Sequence, residues 1–436
     1  MKKFMEFKAL ASKDIYPFPI TSDLEKLGKW IVYLPLIRYA TIVDKDVVVE
    51  LQNAICGRPY GKTPIVEDIL SHMEDEKKKI YYTSSDETGL LNMMILPNNK
   101  CNFHCSYCYS AYGRSGKEIS YDKLSSAIDY FFDISRAANQ RLTISVLGGG
   151  EPLLSWDLLK RALNHAFELG VKRKTKIPVS LVTNGSLIPE DMLEYCKEND
   201  ISVSVSFDIL EDIQREQRGS YELVKDNINR ISDYGLDVAL NTVITNSNVD
   251  RMKEMILHMD NEMPLVKKVS FKSLISNSYF SDMQAREDYY RKFVDHFFEA
   301  KDLAQKKGIY LVCPYWNAVI CLADRYCPGK FVVTAEGTIS ICHCVSSEKD
   351  LLYDKFIYGR ISEGHVDIDR EKLQAILAFN QNKFDSCQTC PCRWHCAGGC
   401  YTDNCTMSEI EKETYCVSMR YFLEKFLLKY VIPILC

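Results

Sequence analysis

Three cysteines, Cys101, Cys105 and Cys108, stand in the segment ILPNNKCNFHCSYCYS, separated by three and then two residues. Thiolates this close on one loop can hold three irons of a 4Fe–4S cube. The fourth iron then has no protein ligand, and an open coordination position lets a small molecule bind the metal directly. Tetrahedral zinc is the competing chemistry. It needs a fourth ligand, and His104 stands between the first two cysteines to supply one.

Eight more cysteines follow at ligand-like spacing: Cys321-x5-Cys327-x14-Cys342, then Cys387-x2-Cys390-x5-Cys396-x3-Cys400-x15-Cys416. They suit two four-thiolate iron–sulfur clusters or two four-cysteine zinc sites, and spacing does not separate the two. Seven cysteines remain: Cys56, Cys196, Cys313, Cys344, Cys392, Cys405 and Cys436. Cys196 lies in a helical pattern and reads as core. Cys344, Cys392 and Cys405 lie close enough to the others to exchange with a ligand.

The chain has 436 residues and eighteen cysteines, too many residues for one compact core. Its N-terminus, MKKFMEFKALASKD, lacks the apolar run of a secretory signal. The apolar run Phe426 to Cys436 is interrupted by Lys429 and Tyr430 and is too short to span a bilayer. A cytoplasmic protein without a membrane partner is expected, and there thiols stay reduced and clustered cysteines bind metal. Lys+Arg 54 against Asp+Glu 59 gives a net charge of -5, which excludes the basic field of a nucleic-acid binder.

The elements that must position these thiols show three textures. Residues 1–90 hold a strand-like segment, Trp30 to Leu36, another apolar segment over Tyr39 to Val49, and a helical pattern over Pro64 to Met73, then the charged run Glu74 to Lys79. From 91 to 312, seven strand-like runs begin at Leu91, Leu142, Pro178, Ile201, Val238, Lys268 and Ile309. Helical patterns alternate with them, over Tyr121–Ser135, Ser155–Leu169, Tyr221–Tyr234 and Tyr290–Lys306. That alternation predicts a parallel sheet with function at the C-terminal strand ends. From 313 to 436 cysteines crowd, strands shorten, and a helical pattern over Glu409 to Tyr430 closes the chain.

With its three-cysteine loop directly after the first candidate strand, the sequence resembles the radical S-adenosylmethionine (SAM) superfamily. Tyr107 is the aromatic residue that family carries before the third cysteine. The resemblance implies that SAM binds the open iron through its amino and carboxylate groups. Gly148, Gly149, Gly150 and Glu151 resemble the glycine-rich stretch that contacts the SAM amino group, where small residues let backbone approach a ligand. Thr183 and Asn184 belong to a TNG segment, and Ser206 and Asp208 to an SFD segment, each at a strand end. Arg218 stands twelve positions after Ser206, as in members where a serine and an arginine bind the SAM carboxylate. Each segment read alone is turn or capping chemistry. The implied fold is α/β: a partial (β/α)6 TIM-like barrel with a small N-terminal α+β module and a C-terminal cysteine-rich domain.

The downstream cysteines, with Gly337 five residues before Cys342, resemble the SPASM extension of peptide-modifying radical SAM enzymes. By that resemblance, one auxiliary 4Fe–4S cluster uses Cys321, Cys327, Cys342 and Cys400, and the other Cys387, Cys390, Cys396 and Cys416. Three clusters and SAM are then the cofactors. An external one-electron reductant such as flavodoxin or ferredoxin, and a precursor peptide, are the partners. The expected reaction cleaves SAM to a 5′-deoxyadenosyl radical that crosslinks or oxidises a ribosomally made peptide. Anaerobic sulfatase maturation is the alternative enzyme. An iron–sulfur electron-transfer or scaffold protein is the alternative outside catalysis. Sulfatase-maturing enzymes carry an aspartate where this chain has His343, so the catalytic base is unassigned, with His343 as a candidate. Peptide maturases often begin with a winged-helix-like element that adds a leader peptide to a sheet edge. Residues 1–90 fit that element or a plain structural cap.

Overall fold

The computed structural model describes residues 7–75, 77, 80, 87–133, 141–274 and 279–435. Cys436, residues 134–135 of the pattern expected over 121–135, and part of the charged run 74–79 lie outside the described residues. The chain opens with a three-stranded antiparallel sheet of β1 (Tyr16–Pro19), β2 (Trp30–Leu34) and β3 (Tyr39–Val43), in that order. Alternation gives β2 two buried faces. Trp30, Val32 and Leu34 pack with Phe7, Val48, Leu51, Val66 and Ile69 under the helices Lys45–Ile55 and Pro64–Ser71. Ile31 and Tyr33 join the main core instead. The apolar segment expected over 39–49 ends as strand at Val43, because Val48 and Leu51 recur at helical spacing and face the module core. The sequence reading missed β1, whose two prolines look like a turn but are tolerated on an edge strand.

The seven expected strands all form: β4 (Asn92–Ile95), β5 (Thr143–Val146), β6 (Val179–Thr183), β7 (Ser202–Ser206), β8 (Val238–Ile244), β9 (Lys268–Ser273) and β10 (Tyr310–Val312). They lie parallel and in sequence order. Four more strands, β11 (Phe331–Val333), β12 (Thr338–Ser340), β13 (Ile357–Ser362) and β14 (His365–Ile368), extend the same sheet. Only β11 runs parallel to its neighbour, β4; the last three continue as an antiparallel meander. One sheet therefore crosses from the α/β repeat into the cysteine-rich region, and the barrel is open rather than closed.

Strand composition explains what the arc encloses. In β6, β7 and β8 the apolar residues Val179, Leu181, Val203, Val205, Leu240 and Ile244 are buried beneath the helices. The alternate positions are small and polar: Asn92 donates to Thr143 (2.7 Å) and Ser145 (3.2 Å), and Ser180 to Ser145 (3.1 Å). The period of two thus builds an apolar outer face and an interior of mixed character, polar at Asn92, Thr143, Ser145 and Ser180 and apolar at Val182 and Val243.

The N-terminal module is docked on the C-terminal region. Glu424, on the helix Glu409–Phe426, accepts from the Thr21 amide (2.6 Å), the Thr21 hydroxyl (2.8 Å) and the Ser22 amide (2.5 Å). Trp394 Nε1 donates to Asp14, and Tyr33 Oη bonds His395 Nε2. Replacing Glu424 with alanine removes one acceptor from three donors. It is expected to cost about 1–3 kcal/mol and to raise amide exchange over residues 16–22 selectively, as read by hydrogen–deuterium exchange.

Candidate functional site

The cysteine loop leaves the C-terminal end of β4 and is stitched down locally. Asn98 donates to the Ser155 hydroxyl (2.7 Å) and the Glu151 carbonyl (3.0 Å), and the Asn99 amide to Lys117 O (3.0 Å). Arg114 faces the thiols, with Nη2 3.3 Å from Cys108 Sγ and Nη1 donating to Phe103 O at 2.8 Å. Burial pushes the Cys105 thiol up while Arg218 opposes the shift. Cations beside thiols favour the thiolate that iron needs. His104 is exposed. Among the described residues, only Cys342, His343 and Cys344 gather three ligand atoms within 4.8 Å. The first three thiols stand wider apart than tetrahedral zinc would draw them, about 3.8 Å from Zn–S bonds of about 2.3 Å.

The glycine stretch after β5 packs against this loop. A Cβ on Gly150 would lie 1.8 Å from Lys100 O and 2.4 Å from Asn98 Oδ1, and one on Gly149 would lie 3.0 Å from Asn98 O. The expected close approach of backbone is real, but its partner is the cysteine loop. Glu151 follows, with its amide on Lys100 O and its carboxylate buried. That carboxylate accepts from Thr183 Oγ1 (2.7 Å), the Asn184 amide (2.7 Å) and the Leu153 amide (3.0 Å). A carboxylate has about four lone-pair positions, so one is left for an ammonium. Asn184 in turn reaches Asn102 Oδ1 (2.9 Å) and lies 3.9 Å from Cys101 Sγ.

A second line runs from the other side. Tyr107 Oη donates to Asp208 at 2.6 Å and accepts from Arg218 Nη1 at 2.9 Å. Asp208 is fully buried and also accepts from the Val243 amide at 3.1 Å. Burial pushes its pKa up, against Arg218 and Tyr107. Tyr107, expected only as an aromatic, is thus a hydroxyl bridge that aims Arg218. Tyr107→Phe keeps the ring and removes the bridge. It is expected to weaken SAM binding about tenfold with the iron content unchanged, by analogy with lost outer-shell partners of metal ligands. Equilibrium dialysis with labelled SAM reads it.

These lines meet on one cavity of about 870 Å³, lined among others by Cys101, Cys105, Cys108, Gly148, Glu151, Thr183, Ser206 and Arg218. Its far wall comes from the cysteine-rich region through His343, Cys344, Thr402 and Asp403. Thr402 Oγ1 donates to Cys342 Sγ at 3.3 Å, and Cys344 donates to Cys342 and holds that thiol low. Burial pushes Cys400 up, with Asp403 and Cys342 adding to the shift. Cys387, Cys390, Cys396 and Cys416 form a second set in which burial and mutual charge push Cys387, Cys396 and Cys416 up. Cys390 is held low by a bond from Cys392, with Arg420 beside it. Cys392 is buried within that second set, whereas Cys321 is exposed.

The candidate base His343 lines this cavity. Burial, Lys330 and Lys272 push its pKa down to about 3, so the imidazole has little affinity for a proton. The sequence reading missed Asp403, three residues after Cys400 and beside Cys342, whose pKa burial raises to about 6. It missed Lys272 too, although the inward position at the end of KVSFKS follows from strand alternation. Tyr109 also lines the cavity, and its hydroxyl lies 2.7 Å from where a Gly148 Cβ would be. No described helix is long and apolar enough to cross a membrane.

Residues 95–259 match the radical SAM superfamily. The radical SAM cyclopropyl synthase TigE of Paramaledivibacter caminithermalis is 27% identical over 364 residues, 76% of this chain and 72% of that protein. The cysteine-type anaerobic sulfatase-maturating enzyme of Clostridium novyi is 23% identical over 378 residues, 77% of this chain and 95% of that enzyme. Streptococcus suis SuiB, solved bound to precursor peptide SuiA, shares the fold at a TM-score of 0.55 and 15% identity, covering 92% of this chain and 97% of that one.

Proposed function

From a chain that is a radical SAM enzyme with a cysteine-rich, SPASM-type C-terminal region, we propose a maturase that modifies a ribosomally made precursor peptide. One observation carries this reading: the three-cysteine loop and the residues that flank Cys342 and Cys400, namely His343, Cys344, Thr402 and Asp403, line the same cavity. A bound cluster and SAM supply a one-electron reductive cleavage that yields a radical able to take hydrogen from carbon. The residues present fit them. Three thiols face the cavity, Glu151 keeps a lone pair for the SAM ammonium, and Arg218, whose Nε is buried without a partner, lines the same cavity as Ser206. Tyr107 and Asp208 hold Arg218 in place, and the walls exclude water from the reacting carbon.

Two auxiliary clusters are assigned to Cys321, Cys327, Cys342 and Cys400, and to Cys387, Cys390, Cys396 and Cys416. The neighbourhoods of Cys342 with Cys400 and of the whole second set support the partition. An external reductant such as flavodoxin or ferredoxin delivers the electron. Residues 1–90 act as the leader-binding element, and β3 is the edge that suits an added strand. Among the described residues β2 is its strand partner, and β3 offers amides where β1 has Pro17 and Pro19.

Sulfatase maturation remains the second reading, favoured by the near-complete coverage of the Clostridium novyi relative. Asp403 beside Cys342 could there take the proton that the missing aspartate would take. Anaerobic incubation with dithionite, SAM and each substrate class separates them. The favoured reading expects 5′-deoxyadenosine and a mass change on a short peptide encoded beside the gene. Formylglycine on a sulfatase peptide, with the neighbouring peptide untouched, would reverse the order.

A further inference from the structure

The two ends of the cavity differ in charge. At the end facing the first cysteine loop, each ionised group is held by protein: Glu151 accepts from Thr183 and Asn184, Arg218 donates to Tyr107 through Nη1 while its Nε stays unpaired, and Arg114 lies against Cys108. The opposite wall holds Lys272, at the end of β9. Val269 and Phe271 of that strand are buried in the core, so alternation turns Lys272 inward, and it is exposed to the cavity. Among the described residues no carboxylate pairs with it. Its charged neighbours are Lys330, of like sign, and the Cys313 thiol. Lys330 itself lies 3.4 Å from His343 Nδ1, on the same wall. The surrounding packing pushes the Lys272 pKa down, Cys313 opposes the shift and Lys330 adds to it. Asp403, the carboxylate on that wall, is engaged with Cys400 and feels Arg286.

An ammonium held toward a cavity without a counter-charge is costly unless a ligand supplies one. Lys330 faces the thiols of Cys342 and Cys344, whereas Lys272 does not figure among the charges acting on the thiols of either downstream set. We propose that Lys272 anchors a carboxylate of the substrate, so that the peptide segment entering the cavity carries an acidic side chain or its own C-terminus next to the carbon that reacts. This deepens the peptide reading given above and rests on it. Lys330 strengthens the field without making the contact.

The test reads Lys272 directly and needs no turnover. Anaerobically prepared holoenzyme is labelled briefly with limiting acetic anhydride, and acetylation at Lys272 is quantified by mass spectrometry against exposed Lys174. Four additions are compared: SAM alone, and SAM with acetyl-Gly-Glu-Gly-amide, acetyl-Gly-Gln-Gly-amide or acetyl-Gly-Gln-Gly acid, each at millimolar concentration. The expected result is that one of the two carboxylate peptides slows labelling roughly threefold or more while the neutral amide does not, and the better of the two identifies side chain or C-terminus. Equal effects of the Glu and Gln amides together with no effect of the acid overturn the proposal. So does full protection by SAM alone, which would give Lys272 to the SAM carboxylate, or failure of Lys272 to label in the free enzyme. Because the readout is independent of 5′-deoxyadenosine, a chain inactive toward SAM would still report on Lys272, and the two readings fail separately.

Discussion

Changing Cys101, Cys105 and Cys108 together to alanine is expected to abolish 5′-deoxyadenosine formation and to remove about four irons per chain, leaving the iron of the downstream clusters in place. The selectivity follows from the architecture. The three thiols sit on one loop after β4, while the downstream cysteines belong to segments beyond β10, and the second of their sets has only its own thiols as neighbouring charges at Cys396. The loop should keep its course without metal. Ile119 donates to Pro97 O (3.0 Å), Asn99 to Lys117 O (3.0 Å) and Arg114 to Phe103 O (2.8 Å), and none of these bonds uses a thiol. Iron and sulfide analysis beside circular dichroism checks both halves. Unchanged iron with persistent SAM cleavage would place the reactive cluster elsewhere. Zinc in place of iron in the parent protein would remove the chemistry altogether.

How much of this was legible in the sequence depended on whether a residue's role is local. The cysteine loop, the glycine stretch, TNG and SFD are short and lie at strand ends, and the period-two runs placed those ends correctly. Strand β1 hid behind its prolines, and the helix from Lys45 hid in a β-branched run, KDVVVEL, whose strand propensity loses to the spacing of Val48 and Leu51. The continuation of the sheet through β11 to β14 was not legible, because pairing β11 with β4 joins residues more than two hundred positions apart. Side-chain roles that depend on a distant partner were equally hidden. Tyr107 becomes a bridge only where Asp208 and Arg218 meet it, and Asp403 becomes a cavity group only because its segment folds back beside Cys342. The surroundings of His343 were hidden in the same way: Lys330 reaches its Nδ1 from thirteen positions away in the chain.

Gly150→Ala is expected to be the most damaging single substitution that touches neither a thiol nor a charged group. Its Cβ would lie 1.8 Å from Lys100 O and 2.6 Å from Lys100 C, both backbone atoms, so no side-chain rotation relieves the contact. Relief requires parting the glycine stretch from the cysteine loop. That movement breaks the bond from the Glu151 amide to Lys100 O (2.6 Å) and those from Asn98 to Glu151 O and Ser155. Three lost buried bonds at about 1–1.5 kcal/mol each, with overpacking of about 1–3 kcal/mol, place the cost near 4–7 kcal/mol. The consequence for function is sharper, because Glu151 and Asn184 are positioned through the same contact, and Asn184 lies against Cys101. SAM affinity should therefore fall by at least about a hundredfold even in the folded fraction. Gly116→Ala is the matched control. It lies in the same loop region with nothing within 4 Å of its added Cβ, and it should leave melting temperature and SAM binding unchanged. If Gly150→Ala behaved like that control under calorimetry and SAM titration, the glycine stretch would not brace the cysteine loop, and Glu151 would owe its place to Thr183, Asn184 and Leu153.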